Sequence, residues 1–482
     1  MRIPEWLDLR KPASLLALVA VSFLVIVLVF RWWDSSVEER LTRWAVDEVA
    51  RQSDSTYRLD LGDLSFVPFA GSISFDSATV ATDSARNRRR AVPLPTLQAR
   101  AQECRVSGLD LVQLLIRRSF NARALACRQV AAGIALPPAT RDDSAAATDT
   151  AAVAASVQQL VLPPGISSIR IAEVDFPALS VTLKRPGARG GTSVALERAQ
   201  FHAGGVVVSP RAASADRARL EANGLLLRPD TLIEISAARL EADFIDSTLG
   251  LEGARHEPAI PEAEWARRVR VRRDRIRFTL DSLQGRGVAY RGFLAGGAIG
   301  IRALELHGAR LDVLSDRRIP KGPPRRHRTP QQVAAQTLSP LRLDTVLVAG
   351  GAILYRERRP EGERPGVVSF EQVRATIRGL QLPSRGEPLK IEASARLMGE
   401  GPLTARATVP LDAPDFRYEL SGRLDRMPAK ALNRFLTENE AFHFDNGWLE
   451  EITFSQTVRG GRAVTTVRPR YRELSVEPTG EG

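Results

Sequence analysis

Histidine, cysteine and paired carboxylates are the side chains that most often hold metals or perform catalysis. This chain of 482 residues has two cysteines and five histidines, and no histidine has ligand spacing to another histidine or to a cysteine. The sequence also lacks a nucleophile elbow, a His-Glu-x-x-His pair, a phosphate-binding loop and a calcium loop. We therefore predict no catalytic residue, no metal, no cofactor and no enzymatic activity. The histidines are His202, His256, His307, His327 and His443.

Two weaker chemical signals have ordinary structural explanations. The adjacent carboxylates Glu450 and Glu451 are expected on a solvated, charged face rather than in a general acid and base pair. The glycine-rich stretch AGGAIG near Gly296 lies between strand-like segments, so we interpret it as a turn and not as a dinucleotide site.

Cys104 and Cys127 are the only cysteines, and both lie in strand-like segments joined by a short turn. Cross-strand pairing as a disulfide is geometrically reasonable in an oxidising compartment. The alternative is that both are small buried apolar residues.

The N-terminus predicts where the chain resides. Residues 13–30 read ASLLALVAVSFLVIVLVF without a charge, and the interfacial residues Arg31, Trp32 and Trp33 follow. We predict a transmembrane helix at 13–33 after a cytoplasmic tail at 1–12, with Arg31, Trp32 and Trp33 as interface anchors. A cleaved secretory signal is the alternative, but small residues usually follow its apolar part.

Basic residues before the predicted span and acidic residues after it orient the chain. The N-terminus is expected in the cytoplasm and the body outside it, in the bacterial periplasm. The net charge of +12, carried mostly by arginine, favours acidic partners. Because an exported body does not meet nucleic acid, the expected anionic partners are phospholipid head groups or other envelope glycolipids.

Residue periodicity predicts a mainly β body. An amphipathic juxtamembrane helix is expected at 34–56, with Val37, Leu41, Ala45 and Val49 on one face, capping the end of the following sheet. Apolar and polar residues then alternate from Tyr57 almost to the C-terminus. We divide this body into β regions at 57–250, 251–387 and 388–482, with a Pro/Arg-rich loop at 316–332 in the second.

Two segments resemble each other and suggest an internal duplication. Residues 108–134 and 287–313 align without a gap at an offset of 179, sharing Gly108 with Gly287 and the Arg-Ala-Leu triplets at Arg123 and Arg302. A Pro-rich break and a similar strand pair follow each copy, with Val174 opposite Val346 at an offset of 172. We interpret the order as a tandem repeat. Chance similarity is the alternative.

Three further expectations concern local structure. A short helix should begin at Pro428, and a turn should lie at Asn446 and Gly447 before the last strands. Either a sheet edge is left open after these strands or the chain continues beyond residue 482. The basic run at 267–277 is expected as a strand with arginine on its wet face, and the run at 317–328 as a loop. Both runs could bind anionic lipid or be merely solubilising.

Five features carry a resemblance to a known family: the anchored helix, LTRWAVDEVARQSDSTYRLDLGDLSFVPFAGSISFDSATV, VSGLDLVQLL, LRLDTVLVAGGAILYRE and RLDRMPAKALNRFL. Together they resemble the AsmA-like superfamily of bacterial envelope proteins, including its DUF748-type and TamB-related members. The resemblance implies an elongated, curved antiparallel β-sheet, groove-like and repeat-built, with one N-terminal transmembrane helix and a few short helices. It also implies phospholipid transport or outer-membrane biogenesis. The expected groove lining includes Val174, Val181, Val346, Val348 and Ile353.

Two functions of different classes follow as expectations. The first is an inner-membrane-anchored periplasmic carrier that shelters acyl chains on apolar strand faces. The second is a scaffold or assembly factor that pairs its sheet edge with envelope proteins. An enzyme built on an unfamiliar site is a distant third.

Overall fold

The structure is a computed structural model. It describes residues 38–39, 42–43, 45–47, 49–51, 55–89, 96–135, 167–185, 192–209, 212–230, 232–290, 299–323, 328–336, 341–384, 386–440 and 442–478. The predicted tail at 1–12, the predicted span at 13–33 with Arg31, Trp32 and Trp33, and His327 lie outside these residues. Within the described ranges, no helix has the length and apolar character needed to cross a membrane.

The fold is mainly β with a few short helices, as predicted, and strands hold 69% of the described residues. β-branched and apolar residues in alternation with polar ones favour these strands. In chain order they are β1 Tyr57–Leu61, β2 Leu64–Val67, β3 Ser72–Thr82, β4 Thr96–Ser107, β5 Ser119–Ala135, β6 Ser168–Arg185, β7 Thr192–Ser209, β8 Ala212–Ser214, β9 Arg217–Asp230, β10 Ile233–Asp243, β11 Thr248–Pro258, β12 Arg275–Val288, β13 Ile299–His307, β14 Arg310–Asp316, β15 Leu341–Arg358, β16 Gly366–Leu382, β17 Leu389–Leu397, β18 Gly401–Val409, β19 Tyr418–Pro428, β20 Phe442–Arg459 and β21 Arg462–Pro478.

The labelled helices are all short. They are α1 Ser84–Arg89, α2 Leu111–Arg117, α3 Glu262–Arg268, α4 Pro330–Gln336 and α5 Asn433–Asn439, with 3-10 turns at Pro68–Ala70 and Ala429–Leu432. Helix α2 shows how the local sequence sets its bounds. The Asp110 carboxylate accepts a hydrogen bond from the Gln113 backbone N–H at 3.0 Å, and Arg118 ends the helix in the left-handed conformation.

Several local predictions need correction. Pro428 ends β19, and the helical turn starts one residue later because the proline fits an extended position before it. The predicted turn at Asn446 and Gly447 is a bulge inside the continuous strand β20, where Gly447 takes φ +111°.

The basic and Pro/Arg-rich runs also differ from expectation. Only residues 275–277 of the run at 267–277 are strand, because α3 extends to Arg268 and Val269 is buried against Trp265 and Ile319. The Pro/Arg-rich loop predicted at 316–332 gives way to helix α4 at Pro330, a residue well suited to a first helical position.

The chain forms two compact units. The first holds β1 to β5, the first part of β6, the last part of β7 and β8; the second holds the rest of β6 and β7 and all of β9 to β21. The predicted boundary between 250 and 251 falls inside β11, and the one between 387 and 388 falls between β16 and β17.

In the first unit, β1 and β2 pair with successive parts of β3, and β4 pairs with the opposite edge of β3. The described helical residues between 38 and 51 run along this sheet instead of capping it. At one end the Glu38 carboxylate accepts a hydrogen bond from the Phe66 N–H at 2.8 Å, and at the other the Thr56 carbonyl accepts one from Asp83 at 2.8 Å.

In the second unit, the strands follow one another in a single ladder. Each strand from β9 to β12 pairs antiparallel with the next, and so does each strand from β15 to β21. Strands β13 and β14 together occupy the position between β12 and β15.

The sheet is mixed, which corrects the prediction of an antiparallel one. Both β13 and β14 run parallel to β15. A parallel pair needs a crossover of a dozen residues or more, and the segment from Asp316 to Leu341, which contains α4, provides it. Apolar and polar residues alternate in the same way in parallel and antiparallel strands, so the sequence did not reveal this crossover.

Both copies of the predicted repeat share an unusual contact. Gly108 and Gly287 have φ +66° and +67°. A Cβ on Gly108 would lie 2.6 Å from the Cβ of Arg123, and a Cβ on Gly287 would lie 2.8 Å from the Cβ of Arg302. Only glycine accommodates this left-handed backbone against a neighbouring strand. The four residues are the ones that the sequence alignment equated.

The two strands that flank the Pro-rich break also start side by side in both copies. In the first unit, Ser167 N–H donates to the Arg118 carbonyl at 2.7 Å and the Ser119 and Ser168 hydroxyls lie 2.8 Å apart, so β5 and β6 start side by side. At the offsets of 179 and 172, Ser119 and Ser168 correspond to residues 298 and 340, one position before the paired Ile299 and Leu341. This agreement supports the predicted duplication.

Candidate ligand-binding face

An unbroken row of apolar residues crosses the second unit. Residues directly opposite each other in a ladder point to the same face of the sheet, so the pairing register traces the row from strand to strand. We call it the apolar row, and it consists of Ala222, Leu240, Leu251, Leu283, Leu306, Val348, Ala375, Ala393, Ala405, Gly422, Phe454 and Val467.

A second row on the same face is apolar over its first ten strands. It runs through Leu220, Ala242, Leu249, Gly285, Leu304, Val346, Ile377, Ile391, Ala407 and Leu420, and ends in Gln456 and Thr465. At a spacing of about 4.8 Å between strands, the twelve strands extend about 50 Å along the sheet.

The opposite face has a different composition. The residues between these two rows form the polar row, which consists of Glu221, Glu241, Gly250, Gln284, Glu305, Leu347, Thr376, Glu392, Arg406, Ser421, Ser455 and Thr466. One face of the sheet is therefore suited to water and the other to a hydrocarbon ligand.

Glycines interrupt the strands along one line of the ladder. Gly253, Gly308 and Gly350 have φ between +60° and +68°, and Gly224 has +94°. In β15 the pairing register shifts at this line, so that Val348 before Gly350 and Ile353 after it lie on the same face. The alternation of apolar residues changes phase there, while the apolar face continues.

Beyond the glycine line the apolar face covers eight strands. The register joins Leu227, Ile235, His256, Phe278, Leu311, Ile353, Phe370 and Leu397 into a further row. His256 is the one polar member, and its Nδ1 has no hydrogen-bond partner. Apart from Ile353, sequence reasoning did not assign these residues to the groove, because each strand changes phase in its middle; the mid-strand glycines were the available signal.

Two concave sites lie on the ladder, and most of their lining residues belong to the face of the polar row. The site of about 680 Å³ includes Thr376, Glu392 and Arg406 of that row, with residues of the apolar row between them in the strands. The site of about 350 Å³ includes Glu241 and Gln284 of the polar row. Both volumes are in the range of small-molecule sites, but these linings are mostly polar and charged.

The face carries little protein cover among the described elements. Most residues of the apolar row are half-buried, Ala222 is buried, and Val467 is 54% exposed. The principal contacts of the strands are with their ladder neighbours, and α5 with its preceding 3-10 turn is the main element packed across them. Ordinary domains cover an apolar sheet face with a second layer.

Helix α5 covers one end of this face. Ala429 and Leu432 before it pack with Leu424, Leu449 and Met427 in a buried cluster, and α5 itself contacts β16 and β20. These two strands are four ladder steps apart, so a helix of seven residues reaches both only where the sheet curls toward it.

A network of charged side chains fastens α3 to β14 and β15. The Arg356 guanidinium donates to both carboxylate oxygens of Glu262 at 3.0 Å and to both of Asp312 at 2.8 Å. The buried Asp316 accepts hydrogen bonds from Arg318, at 2.6 Å to one oxygen, and lies 3.7 Å from Arg358.

The network holds its carboxylates ionised. Burial alone raises the pKa of Asp316, but the hydrogen bonds of Arg318 and the charge of Arg358 outweigh it and leave the pKa below its usual value. Arg356 lowers the pKa of Glu262 against the same opposing effect of burial. Burial and the hydrogen bond to Glu357 raise the pKa of Tyr355 to about 12. These groups suit a structural fastening and not proton transfer at neutral pH.

The predicted lining residues occupy three places. Val346, Val348 and Ile353 lie on the apolar face of β15, where Val346 is only 6% exposed. Val174 is buried in the first unit, and Val181 is half-buried in the later part of β6. The sulfur atoms of Cys104 and Cys127 are joined in a disulfide between β4 and β5.

His202 and His443 contact carboxylates and not each other in the contacts of the described residues. The His202 Nε2 lies 3.9 Å from a Glu173 carboxylate oxygen, and its Nδ1 lies 3.8 Å from one of Asp175. The His443 Nε2 lies 3.6 Å from a Glu477 carboxylate oxygen. In the part of the chain that the structure describes, no group of three or more His, Cys, Asp or Glu residues could hold a metal ion. No protein-family model matches the chain, and no curated protein matches it.

Proposed function

We propose that this protein is a lipid-transfer protein of the bacterial cell envelope, anchored in the inner membrane by residues 13–33 with its body in the periplasm. Its ligands would be phospholipids, and its likeness to the AsmA-like superfamily points the same way. The observation that carries the proposal is the apolar row of twelve strands backed by the polar row on the opposite face.

Acyl chains would take the place of the second layer that this sheet face lacks among the described elements. Burying a methylene group contributes about 0.8 kcal/mol. Small side chains such as Ala375, Ala393 and Ala405 leave room for a chain against the backbone and form no hydrogen bonds that would hold one position. Weak and interchangeable contacts of this kind favour movement along the face.

For the test, residues 34–482 are secreted into a bacterial periplasm and purified without detergent. Native mass spectrometry and lipid extraction then measure the phospholipid that co-purifies. Ala405→Asp places a carboxylate on the apolar row, and Thr404→Asp places the same group on the opposite face one residue away. We expect the first change to remove the lipid and the second to retain it. A folded, lipid-free body would contradict the proposal.

A scaffold that pairs a sheet edge with an envelope protein is the alternative. Strand β21 favours it, since its 17 residues pair with β20 and it exposes Val464, Tyr471 and Val476 by 68, 61 and 53%. Long exposed strands of this kind recruit further strands. The scaffold requires a stoichiometric protein partner that is lost when Val464→Pro disrupts the edge, whereas lipid binding would survive that change.

A further inference from the structure

The first unit exposes large apolar side chains at one place. Phe69 in the first 3-10 turn is 83% exposed, and Val112 and Ile116 in α2 are 64 and 76% exposed. Val112 and Ile116 are one helical turn apart and so share a face of α2, while Leu111 and Leu114 on other faces are half-buried. A helix surrounded by water would present polar residues at the two exposed positions.

The turn and the helix belong to the same end of the sheet. The Leu109 N–H, just before α2, donates to the Gly71 carbonyl, just after the turn, at 2.7 Å. The contact is close enough that a Cβ on Gly71 would lie 2.7 Å from the Leu109 carbonyl oxygen. Phe69, Val112 and Ile116 therefore form one surface, which we call the apolar patch.

The path of the chain brings the predicted membrane span to this end. The Glu38 carboxylate accepts the hydrogen bond of Phe66, three residues before Phe69. Glu38 follows Trp33, the last residue of the predicted span, by five residues, which reach at most about 18 Å when fully extended. The opposite end of the sheet is remote, since Asp83 and α1 follow the eleven residues of β3, about 35 Å of strand.

We propose that the apolar patch inserts into the periplasmic surface of the membrane in which the chain is anchored. This inference rests on the membrane anchorage in the proposed function. Apolar side chains beside basic ones are the composition of surfaces that bind at the lipid interface. The exposed Arg117 and Arg118 follow Ile116 directly, where their guanidinium groups meet lipid phosphates.

The test uses the full chain in nanodiscs that contain anionic phospholipid brominated in the middle of its acyl chains. Ile116→Trp adds a tryptophan to the patch, and Arg88→Trp adds one to the exposed surface of α1 at the other end of the sheet. The native tryptophans are common to both variants, so the difference from the unmodified chain isolates the added residue. We expect severalfold stronger quenching and a blue-shifted emission for the tryptophan at position 116.

The outcomes separate the two proposals. A chain that incorporates into nanodiscs and shows equal quenching at both positions overturns the inserted patch and leaves the anchored carrier standing. A chain that does not incorporate overturns the anchorage and the inserted patch together. The added tryptophan could instead be covered by a second copy of the chain. Its emission would then depend on protein concentration and would not be quenched by the brominated lipid, and this result also overturns the inference.

Discussion

Arg356 is less exposed than an ordinary surface arginine and binds two carboxylates. Its side chain is 16% exposed and bridges Glu262 of α3 and Asp312 of β14, which are 94 and 44 residues away in sequence. Removing one member of a largely buried ion-pair network leaves the others desolvated and unpaired. The network thus fixes α3 against β14 and β15.

We expect Arg356→Met to lower the free energy of unfolding by about 2 kcal/mol, less than a fully buried pair because Glu262 remains partly exposed. Arg342→Met is the matched control, since Arg342 pairs with Asp344 while 65% exposed and should change stability little. Urea titrations of both variants measure the difference. Equal midpoints would show that the network does not fasten α3.

The same network predicts how stability depends on pH. The pKa of Asp316 and of Glu262 is lower in the folded chain than its ordinary value of 3.8 or 4.5. Stability from both groups is therefore complete above those ordinary values and is lost as the pH falls through the lowered ones. Thermal melting from neutral pH to pH 3 should show the loss, and Asp316→Asn should flatten the acid limb of the curve. An unchanged acid limb in that variant would exclude Asp316 as its source.

At the scale of elements, alternation of apolar and polar residues was sufficient to predict the strands but not their arrangement. LRLDTVLVAGGAILYRE predicts strand β15 well, yet its parallel partners depend on a crossover whose direction no local pattern records. The face of Ile353 relative to Val348 depends on the bulge at Gly350, which the sequence signals only as a glycine pair. The paired glycines of the repeat were predictable because position and residue type both recur.

The glycine line predicts two different costs for similar changes. Gly350→Ala meets no atom within 4 Å, so only the left-handed backbone opposes it, by about 1 kcal/mol. Gly308→Ala has the same backbone cost and also displaces the Asp281 carboxylate, which accepts a hydrogen bond from Arg310 at 3.0 Å. Chemical denaturation should rank the Gly308 variant as the less stable. The reverse order would mean that Asp281 has no part in joining β12 to β14.

The disulfide predicts redox dependence of the first unit. Cys104 and Cys127 are 23 residues apart, and closing a loop of that size stabilises a fold by about 3 kcal/mol in the chain-entropy account. We expect reduction, or replacement of both cysteines by serine, to lower the melting temperature and to expose β4 and β5 to hydrogen exchange. Exchange that is unchanged in the serine variant would show that the strands hold without the bond.

At the scale of the whole molecule, the predicted function depends on a property that no single residue has. Val346, Val348 and Ile353 were predicted from the pattern of one strand, and the ladder extends their face to residues such as Leu240 and Ala393 that the sequence did not single out. Long-range register decides which residues share a face. The membrane anchor, the periplasmic location and the lipid remain predictions.

Photo-crosslinking in cells tests whether phospholipid lies along the apolar row. A benzophenone amino acid is placed on the apolar row at Leu240, Ala393 or Phe454, and on the polar row at Glu241, Glu392 or Ser455, each one residue away from its partner position. We expect phospholipid adducts at all three apolar-row positions and none at their polar-row neighbours. Adducts absent from the apolar row, or equal on both faces, would contradict a lipid path along this sheet.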